Sequence, residues 1–304
     1  MTVCILRGYF MRILIGADLD GKTVKEVIKN HRLSTRLVTR LKTLDDGILV
    51  NGTRRTVRHI LANGDLLELK LEDRKSSEGV PPFNAPIELL WEDEYYAAFA
   101  KPPHLPTHPA RHHQSDTLAG RIAYYFRDRD FIFRALTRLD LDTSGVVIVA
   151  KNQLAANEFS KLLIKRTVKK EYTAVCLGKI ADGEGTITLP IIRPDERSIL
   201  RDVGENGEEA ITEYKVLKTC DKASLVSVSP ITGRTHQIRV HMKAIGHPVF
   251  GDTLYSLPDP LIDRQALHAS KITFIHPFTK ETVSVECPLF DDMKSCISKL
   301  FGDR

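Results

Sequence analysis

Two carboxylates and an arginine lie just before an apolar segment. Residues 137–145 read TRLDLDTSG, and Val146 begins the apolar run VVIVA. A run of this kind predicts a buried strand, which puts Arg138, Asp140 and Asp142 on the loop that enters it. A buried charge is costly unless it is paired. We therefore expect Asp140 to have a cationic partner elsewhere in the chain.

A second charged segment offers such a partner. Residues 229–255 read SPITGRTHQIRVHMKAIGHPVFGDTLY. The apolar spacing predicts a helix over 235–245 whose inward side chains are Ile238, Met242 and Ile245. We expect Thr232 or Thr235 to cap this helix and Gly246 to end it.

Two arginines would flank the first turn of that helix. Arg234 and Arg239 lie beside backbone N–H groups that have no partner within the helix. The helix end and the guanidiniums together favour a carboxylate or a phosphate. The alternative is that this helix end has a structural role and binds no anion.

Other chemistries find less support in the sequence. Neither a phosphate-binding G-x-x-x-x-G-K-[ST] loop nor a G-x-G-x-x-G turn is present, so we expect no nucleotide cofactor. His236, His241 and His247 are spaced five and six residues apart, which does not place them on one helix face, and we expect no metal. A glycosidase needs its two carboxylates on opposite sides of a sugar, about 5 Å or more apart, which makes Asp140 and Asp142 a poor pair.

Length and composition predict a soluble protein of two domains. The chain has 304 residues, 42% hydrophobic and 27% charged, with a net charge of +5. No apolar segment is long enough to span a membrane. The five cysteines are scattered and the N-terminus shows no signal peptide, so we expect free thiols and a cytoplasmic location, with Met1 or Met11 as the start.

Residues 13–72 predict a small domain of their own. One helix face would bury Val24, Val27 and Ile28. Ser34 would cap a second helix, whose apolar side carries Leu37, Val38, Leu41 and Leu44. Asn51-Gly52 predicts a tight hairpin turn, because both residues tolerate positive φ. Neighbouring elements contribute basic residues that would attract a phosphate backbone or form a solvated surface: Arg36, Arg40, Lys42, Arg54, Arg55 and Arg58.

The rest of the chain predicts an α+β fold. Residues 73–83, DRKSSEGVPPF, have the composition of a linker. Residues 84–300 then contain mostly short β-like segments, with helical stretches near 153–166 and 235–245. We therefore expect a second domain with a mixed, mainly antiparallel β-sheet.

These segments together resemble a known family. Four stretches match the motifs of the RluA family of pseudouridine synthases, in the family's order: TRLDLDTSG, KKEYTAVCLG, TGRTHQIRVHMKAIGHPVFGD and LHASKITFIHP. The segment ELLWEDEYYAAFAKPPHLPTHP resembles the strand pair that precedes the first motif. Residues 13–72 resemble the S4 RNA-binding domain, an α/β unit with an Arg-bearing helix and a VNG hairpin. The match extends from about residue 13 to 290.

The resemblance implies a reaction and its residues. A uridine in RNA would be converted to its carbon-linked isomer without cofactor or metal. The family's catalytic Asp falls on Asp140, its active-site Tyr on Tyr172 and its Arg on Arg239. Tyr172 would pack against the target base, and Arg239 would keep the carboxylate ionised and oriented. Arg138 would fill the space that the flipped-out nucleotide leaves.

The resemblance also implies partners. RNA would be the substrate, ribosomal first and transfer RNA as the alternative, with no obligate protein partner and a monomeric enzyme. The RNA contacts would come from both domains: Arg138, Arg234, His236, Arg36, Arg40, Arg54 and Arg55. Thr137 departs from the family, which has His there and so can supply an imidazolium. A noncatalytic RNA-binding or ribosome-assembly factor on the same fold is the alternative.

Overall fold

A computed structural model describes most of the chain, namely residues 3–7, 10–31, 33, 35–70, 80–109, 116–129, 131–181 and 183–302. The chain divides into two compact units, one of residues 1–76 with 152–158 and one of residues 77–151 with 159–304. The division after residue 76 falls within the predicted linker. The bounds 13–72 and 84–300 stay predictions. None of the helices among these residues is long and apolar enough to cross a membrane.

The first unit is an antiparallel sheet with two helices. Its sheet order is β1-β2-β5-β3-β4, from strands β1 (Val3–Arg7), β2 (Phe10–Leu14), β3 (Ile48–Val50), β4 (Thr53–Arg54) and β5 (Leu66–Lys70). The helices are α1 (Val24–Asn30) and α2 (Thr35–Thr43).

Local sequence rules account for the first unit. Thr23 and Glu26 form a capping box at the start of α1, which buries the three apolar residues that were expected inside. Asn51 and Gly52 both have positive φ, 52° and 74°, in the turn between β3 and β4, as predicted. The expected cap Ser34 and the side chain of Arg36 lie outside the described residues.

The second unit is built on one large sheet. Its strand order is β10-β13-β14-β9-β15-β8-β7-β6, and β16 pairs with β15. The strands are β6 (Glu88–Glu92), β7 (Tyr96–Lys101), β8 (Ser144–Ala150), β9 (Lys169–Leu177), β10 (Glu184–Ile187), β13 (Thr212–Thr219), β14 (Ala223–Pro230), β15 (Leu267–Ile275) and β16 (Thr282–Glu286). Only β15 and β8 are parallel among the described pairs. The predicted mixed, mainly antiparallel sheet is therefore confirmed.

The remaining elements of this part of the chain are a ribbon and four helices. Strands β11 (Ile191–Ile192) and β12 (Asp202–Val203) pair with each other. The helices are α3 (Leu118–Tyr125), α4 (Gln153–Ile164), α5 (Gln237–Ala244) and α6 (Asp291–Phe301), and residues 153–158 of α4 are counted with the first unit.

The predicted threonine cap of α5 is wrong. His236 is the N-cap, in the left-handed region at φ 57°, and its side chain forms no capping bond. The hydroxyl of Thr232 has other partners, because it accepts from the Ile211 N–H at 2.9 Å and donates to Gln237 Oε1 at 2.7 Å. Gly246 follows the end of the helix at φ 85°, as expected.

Candidate active site

A cavity of about 870 Å³ opens where three elements of the second unit meet. The loop before β8, strand β9 and the loop before α5 form its wall. Asp140, Tyr172, His236 and Arg239 all line it, so the structure brings together residues that are far apart in the sequence. Arg138 and Arg234 also line it, and Arg138 is exposed.

Asp140 and Arg239 form an ion pair in this cavity. Arg239 Nη1 donates to Asp140 Oδ2 at 3.0 Å. The Asp140 side chain is 27% exposed, whereas that of Arg239 is 5% exposed. One carboxylate oxygen is thus held from the protein side while the group remains accessible from the cavity.

A second carboxylate holds the arginine. Asp252 is fully buried and accepts from Arg239 Nε and Nη2, both at 2.7 Å. This bidentate geometry fixes the plane of the guanidinium and leaves Nη1 for Asp140. Burial lowers the pKa of Arg239, but hydrogen bonds and charges from Asp252 and Asp140 more than offset this and raise it above its ordinary value.

His236 lies near the same carboxylate oxygen that Arg239 binds. Its Nε2 is 3.9 Å from Asp140 Oδ2, and its Nδ1 is 2.8 Å from the Tyr255 hydroxyl. That hydroxyl accepts from the Arg201 N–H, so we infer that it donates to Nδ1 and that the neutral ring carries its proton on Nε2. Burial lowers the pKa of His236, which favours this neutral ring.

Tyr172 supplies an aromatic surface to the cavity. The residue lies on β9 and is partly buried against the apolar cluster that includes Leu267 and Ile238. Burial raises the pKa of its hydroxyl, and the charge of Asp140 adds to this. The side chain is therefore a neutral phenol that can pack on a planar base and donate a hydrogen bond.

Two buried cations hold the loop that carries Asp140. The fully buried Lys101 donates to the carbonyls of Pro102, Leu141 and Thr143, at 2.8–2.9 Å. Burial lowers the pKa of Lys101 to about 7, against the opposing charge of Asp142.

Arg264 approaches the same loop through other contacts. Its Nη1 donates to the Asp142 carbonyl at 3.0 Å, and its Nε donates to Asp292 of α6 at 2.6 Å. The Ser144 hydroxyl accepts from Nη2 of Arg264 and is 2.9 Å from His268 Nδ1. These contacts join the loop to the sheet and to α6.

Gly145 allows the loop to enter β8. It has φ 121°, and a Cβ built there would lie 2.3 Å from the Ala269 carbonyl oxygen on the parallel neighbour β15. Only glycine fits this position without moving the backbone. Thr137 also has a structural role, because its hydroxyl accepts from the Ile148 N–H at 3.0 Å.

Asp142 lies apart from Asp140 in its contacts. Its Oδ1 is 2.8 Å from His104 Nδ1, and a second carboxylate, Asp263, is 3.5 Å from the other nitrogen of that ring. Asp142 is also absent from the residues that line the cavity. The geometry therefore gives no support to a glycosidase pair of Asp140 and Asp142.

The basic residues of the first unit differ in their surroundings. Arg55 is exposed, and Arg54 is exposed and pairs with Asp45 at 2.6 Å. Arg40 is half-buried, with Nε and Nη2 lacking hydrogen-bond partners among the described residues. In the second unit, Arg234 donates to the Glu209 carbonyl and pairs with Glu208.

Sequence reasoning missed three residues that build the site. Asp252, Lys101 and Arg264 position the loop that carries Asp140 and the arginine that pairs with it, yet the sequence patterns pointed to none of them. The first two lie in the segments HPVFGD and AFAKPP, where a charged residue next to Gly or Pro at the end of an apolar stretch was a usable signal. Arg264 lies in DRQALHAS, where we find no local signal.

Comparison with known proteins identifies relatives over most of the chain. Residues 95–244 match the family model described as RNA pseudouridylate synthase. The "Uncharacterized RNA pseudouridine synthase YjbO" of Bacillus subtilis is 38% identical over 277 residues, 90% of this chain and 98% of that protein. The "Ribosomal large subunit pseudouridine synthase D" of Vibrio parahaemolyticus is 32% identical, over 86% of this chain and 85% of the relative.

Solved structures agree with these relatives. The structure titled "Human RNA Pseudouridylate Synthase Domain Containing 1" matches with a TM-score of 0.57 at 28% identity, covering 69% of this chain and 87% of the other. The fold predicted for the second unit is thereby confirmed.

Proposed function

Since this chain belongs to the RNA pseudouridylate synthase family, we propose that it isomerises uridines of large-subunit ribosomal RNA with Asp140 as its catalytic carboxylate. The observation that supports this most is the accessible carboxylate, held by Arg239 beside Tyr172 in one cavity. Relatives named as ribosomal large subunit enzymes support the choice of RNA.

The proposed chemistry uses side chains alone. The bond between uracil N1 and sugar C1′ breaks, the base rotates, and a bond from C5 to C1′ forms. C5 then loses its proton to solvent and N1 takes one up, so the product is an isomer of the substrate. Cleavage leaves an electron-poor anomeric carbon, which an adjacent carboxylate can stabilise or attack, or next to which it can remove a proton. Each of these roles needs Asp140 to be oriented toward the sugar, and Arg239 provides that orientation.

Tyr172 and Arg138 complete the proposed site. The Tyr172 ring packs against the target base, and its neutral hydroxyl assists the removal of the C5 proton as a relay, which accepts that proton and passes its own on. Arg138, exposed at the cavity, occupies the place that the flipped uridine leaves in the RNA. No cofactor enters this scheme.

Tritium release tests the proposal, because forming the C5–C1′ bond frees the hydrogen of C5. The substrate is RNA labelled at uridine C5 and taken from cells that lack the enzyme. We expect Asp140→Asn to lower kcat by about 1,000-fold or more. Asp142→Asn is the matched control on the same loop and should retain activity. Equal losses in both variants, or full activity in Asp140→Asn, would remove Asp140 from its role.

The same labelled RNA identifies the substrate. Pseudouridine mapped by sequencing should appear at sites in large-subunit ribosomal RNA when wild-type enzyme is added, and not with Asp140→Asn. Sites found only in transfer RNA would contradict the proposed substrate.

We further propose that the enzyme is cytoplasmic and a monomer. Light scattering should therefore give the mass of one copy, 34.2 kDa.

We propose that the first unit binds RNA phosphates through Arg36, Arg40, Arg54 and Arg55. The exposure of Arg54 and Arg55 supports this. Replacing these two by alanine should reduce the slope of log affinity against log salt by about 0.7–0.9 for each phosphate that the protein no longer neutralises. The control is Lys215→Ala with Lys218→Ala, which removes two exposed charges from the second unit. Equal slopes for the two double variants would contradict the proposal.

A further inference from the structure

Lys170 is a cation in the wall of the cavity, and no described carboxylate pairs with it. Its Nζ donates to the carbonyl oxygen of Thr232 at 3.2 Å, and the residue is partly buried. Within the described part of the chain it forms no ion pair, and burial alone lowers its pKa. An ammonium can donate three hydrogen bonds, and the described residues accept one weak hydrogen bond from this one.

The other lysine and arginine side chains that line the cavity differ from it. Arg239 has two carboxylates, Arg234 has Glu208 and Arg166 has Glu209. Arg138 lacks an ion pair among the described residues but is exposed, so water solvates it. Lys170 alone among these five combines loss of solvent with lack of a counter-charge. Such a group is costly without a counter-charge and is stabilised when an anion binds beside it.

The position of Lys170 indicates which anion it would bind. Lys170 and Tyr172 are two residues apart on β9, so they project from the same face of the strand with Cα atoms about 6.6 Å apart. That spacing is comparable to the distance from a pyrimidine ring to the phosphate of its own nucleotide. Gly233 lies close to the ammonium, because a Cβ there would be 3.8 Å from Nζ, an ordinary van der Waals contact.

We propose that Lys170 binds a phosphate group of the target uridine, next to the base that packs on Tyr172. This inference rests on the proposed function, because it needs a nucleotide in the cavity. Lys170 is then a substrate-binding residue that fixes where the sugar lies between Asp140 and the phosphate.

Binding of small ligands to the full chain tests this directly. The two probes are uridine and uridine 3′,5′-bisphosphate, measured by calorimetry on the wild type, Lys170→Met and Lys169→Met. Lys169 is exposed, lies on the opposite face of β9 and loses the same charge. We expect the wild type and Lys169→Met to bind the bisphosphate about tenfold or more tightly than uridine, because a charge-assisted hydrogen bond is involved. Lys170→Met should bind both alike, and Lys170→Arg should keep the preference.

Kinetics with labelled RNA give a second readout. Lys170→Met should raise KM in the tritium-release assay by about tenfold with a smaller change in kcat, while Lys169→Met should match the wild type. The inference is overturned if the wild type shows no preference for the bisphosphate, if Lys170→Met keeps that preference, or if Lys170→Met loses uridine and bisphosphate equally. Failure of the proposed function is distinct: the wild type would then release no tritium, whatever its ligand preference.

Discussion

Replacing Asp252 by asparagine should displace the Arg239 guanidinium while Arg239 itself is kept, and so tests whether its position matters. In the native structure both oxygens of Asp252 accept from Arg239 at 2.7 Å, and both side chains are buried. Asparagine keeps one oxygen, which can still accept from Arg239 and from the Leu254 N–H. In the native structure this N–H is 3.0 Å from Asp252 Oδ1. Its amide nitrogen would face a guanidinium nitrogen, so two donors would oppose each other.

The expected cost follows from burial. Removing one partner of a buried ion pair costs about 3–5 kcal/mol, and the retained hydrogen bond and the contact with Asp140 put this variant at the lower end, about 3 kcal/mol. The chain should remain folded at moderate temperature, because domain stabilities are about 5–15 kcal/mol. A guanidinium displaced by about 1 Å would shift the Asp140 carboxylate and lower kcat by about 100-fold.

Urea unfolding and tritium release on the same preparation measure both effects. Asp291→Asn is the control, because that carboxylate is 98% exposed and its pair with Lys294 should contribute less than about 1 kcal/mol. If Asp252→Asn unfolds within about 1 kcal/mol of the wild type and keeps its kcat, Asp252 does not position Arg239.

Three further substitutions and conditions test the support of the site. Gly145→Ala should lower the free energy of unfolding in urea by about 3 kcal/mol or more, because its Cβ would clash with the Ala269 backbone. Gly52→Ala is the control, which has open space around it and should cost about 1 kcal/mol. Equal costs for the two variants would contradict the packing argument. Thr137→Val should lower the free energy of unfolding by about 1–3 kcal/mol, because it leaves the Ile148 N–H without an acceptor, and Thr137→Ser should restore stability. A valine variant as stable as the wild type would show that this hydrogen bond is dispensable. Lowering the pH from about 7.5 to about 5.5 should destabilise the chain, because the unfolded chain takes up protons below about pH 6.5 while the buried rings stay neutral. The loss should be at most about 1.4 kcal/mol per pH unit for each histidine whose pKa is lowered by burial: His108, His236, His241 and His268. Free energies of unfolding that are equal at the two pH values would refute this.

The sequence predicted the elements whose signals are local. The run after Gly145 became β8, in which all residues are buried, and the Asn51-Gly52 turn formed as expected. The resemblance also implied the pair of Asp140 and Arg239, which are 99 residues apart and are hydrogen-bonded in the structure. Propensity alone cannot supply such a pair, because the loop that carries Asp140 and the helix that carries Arg239 meet only in the tertiary fold.

Elements that depend on distant partners were harder to predict. Strand β15 was not identified as a strand, since polar residues interrupt its apolar pattern. One of these polar residues, the buried His268, is accommodated by tertiary contacts with the Ser144 hydroxyl and the Cys287 carbonyl. The pairing of β15 with β9 is also irregular between Ala269 and Lys271. The threonine cap of α5 failed for the same reason, because the hydroxyl of Thr232 is used by Ile211.

The charges around Asp140 leave one negative charge available for the reaction. The cluster of Asp140, Arg239 and Asp252 contains two carboxylates and one guanidinium, and His236 beside it is neutral, so one net negative charge remains. Asp252 is fully buried whereas Asp140 is 27% exposed, which places the accessible part of that charge on Asp140. Lys101 does not cancel it by an ion pair, because its three hydrogen bonds go to backbone carbonyls. A carboxylate held in this way is oriented and still able to stabilise an electron-poor sugar carbon.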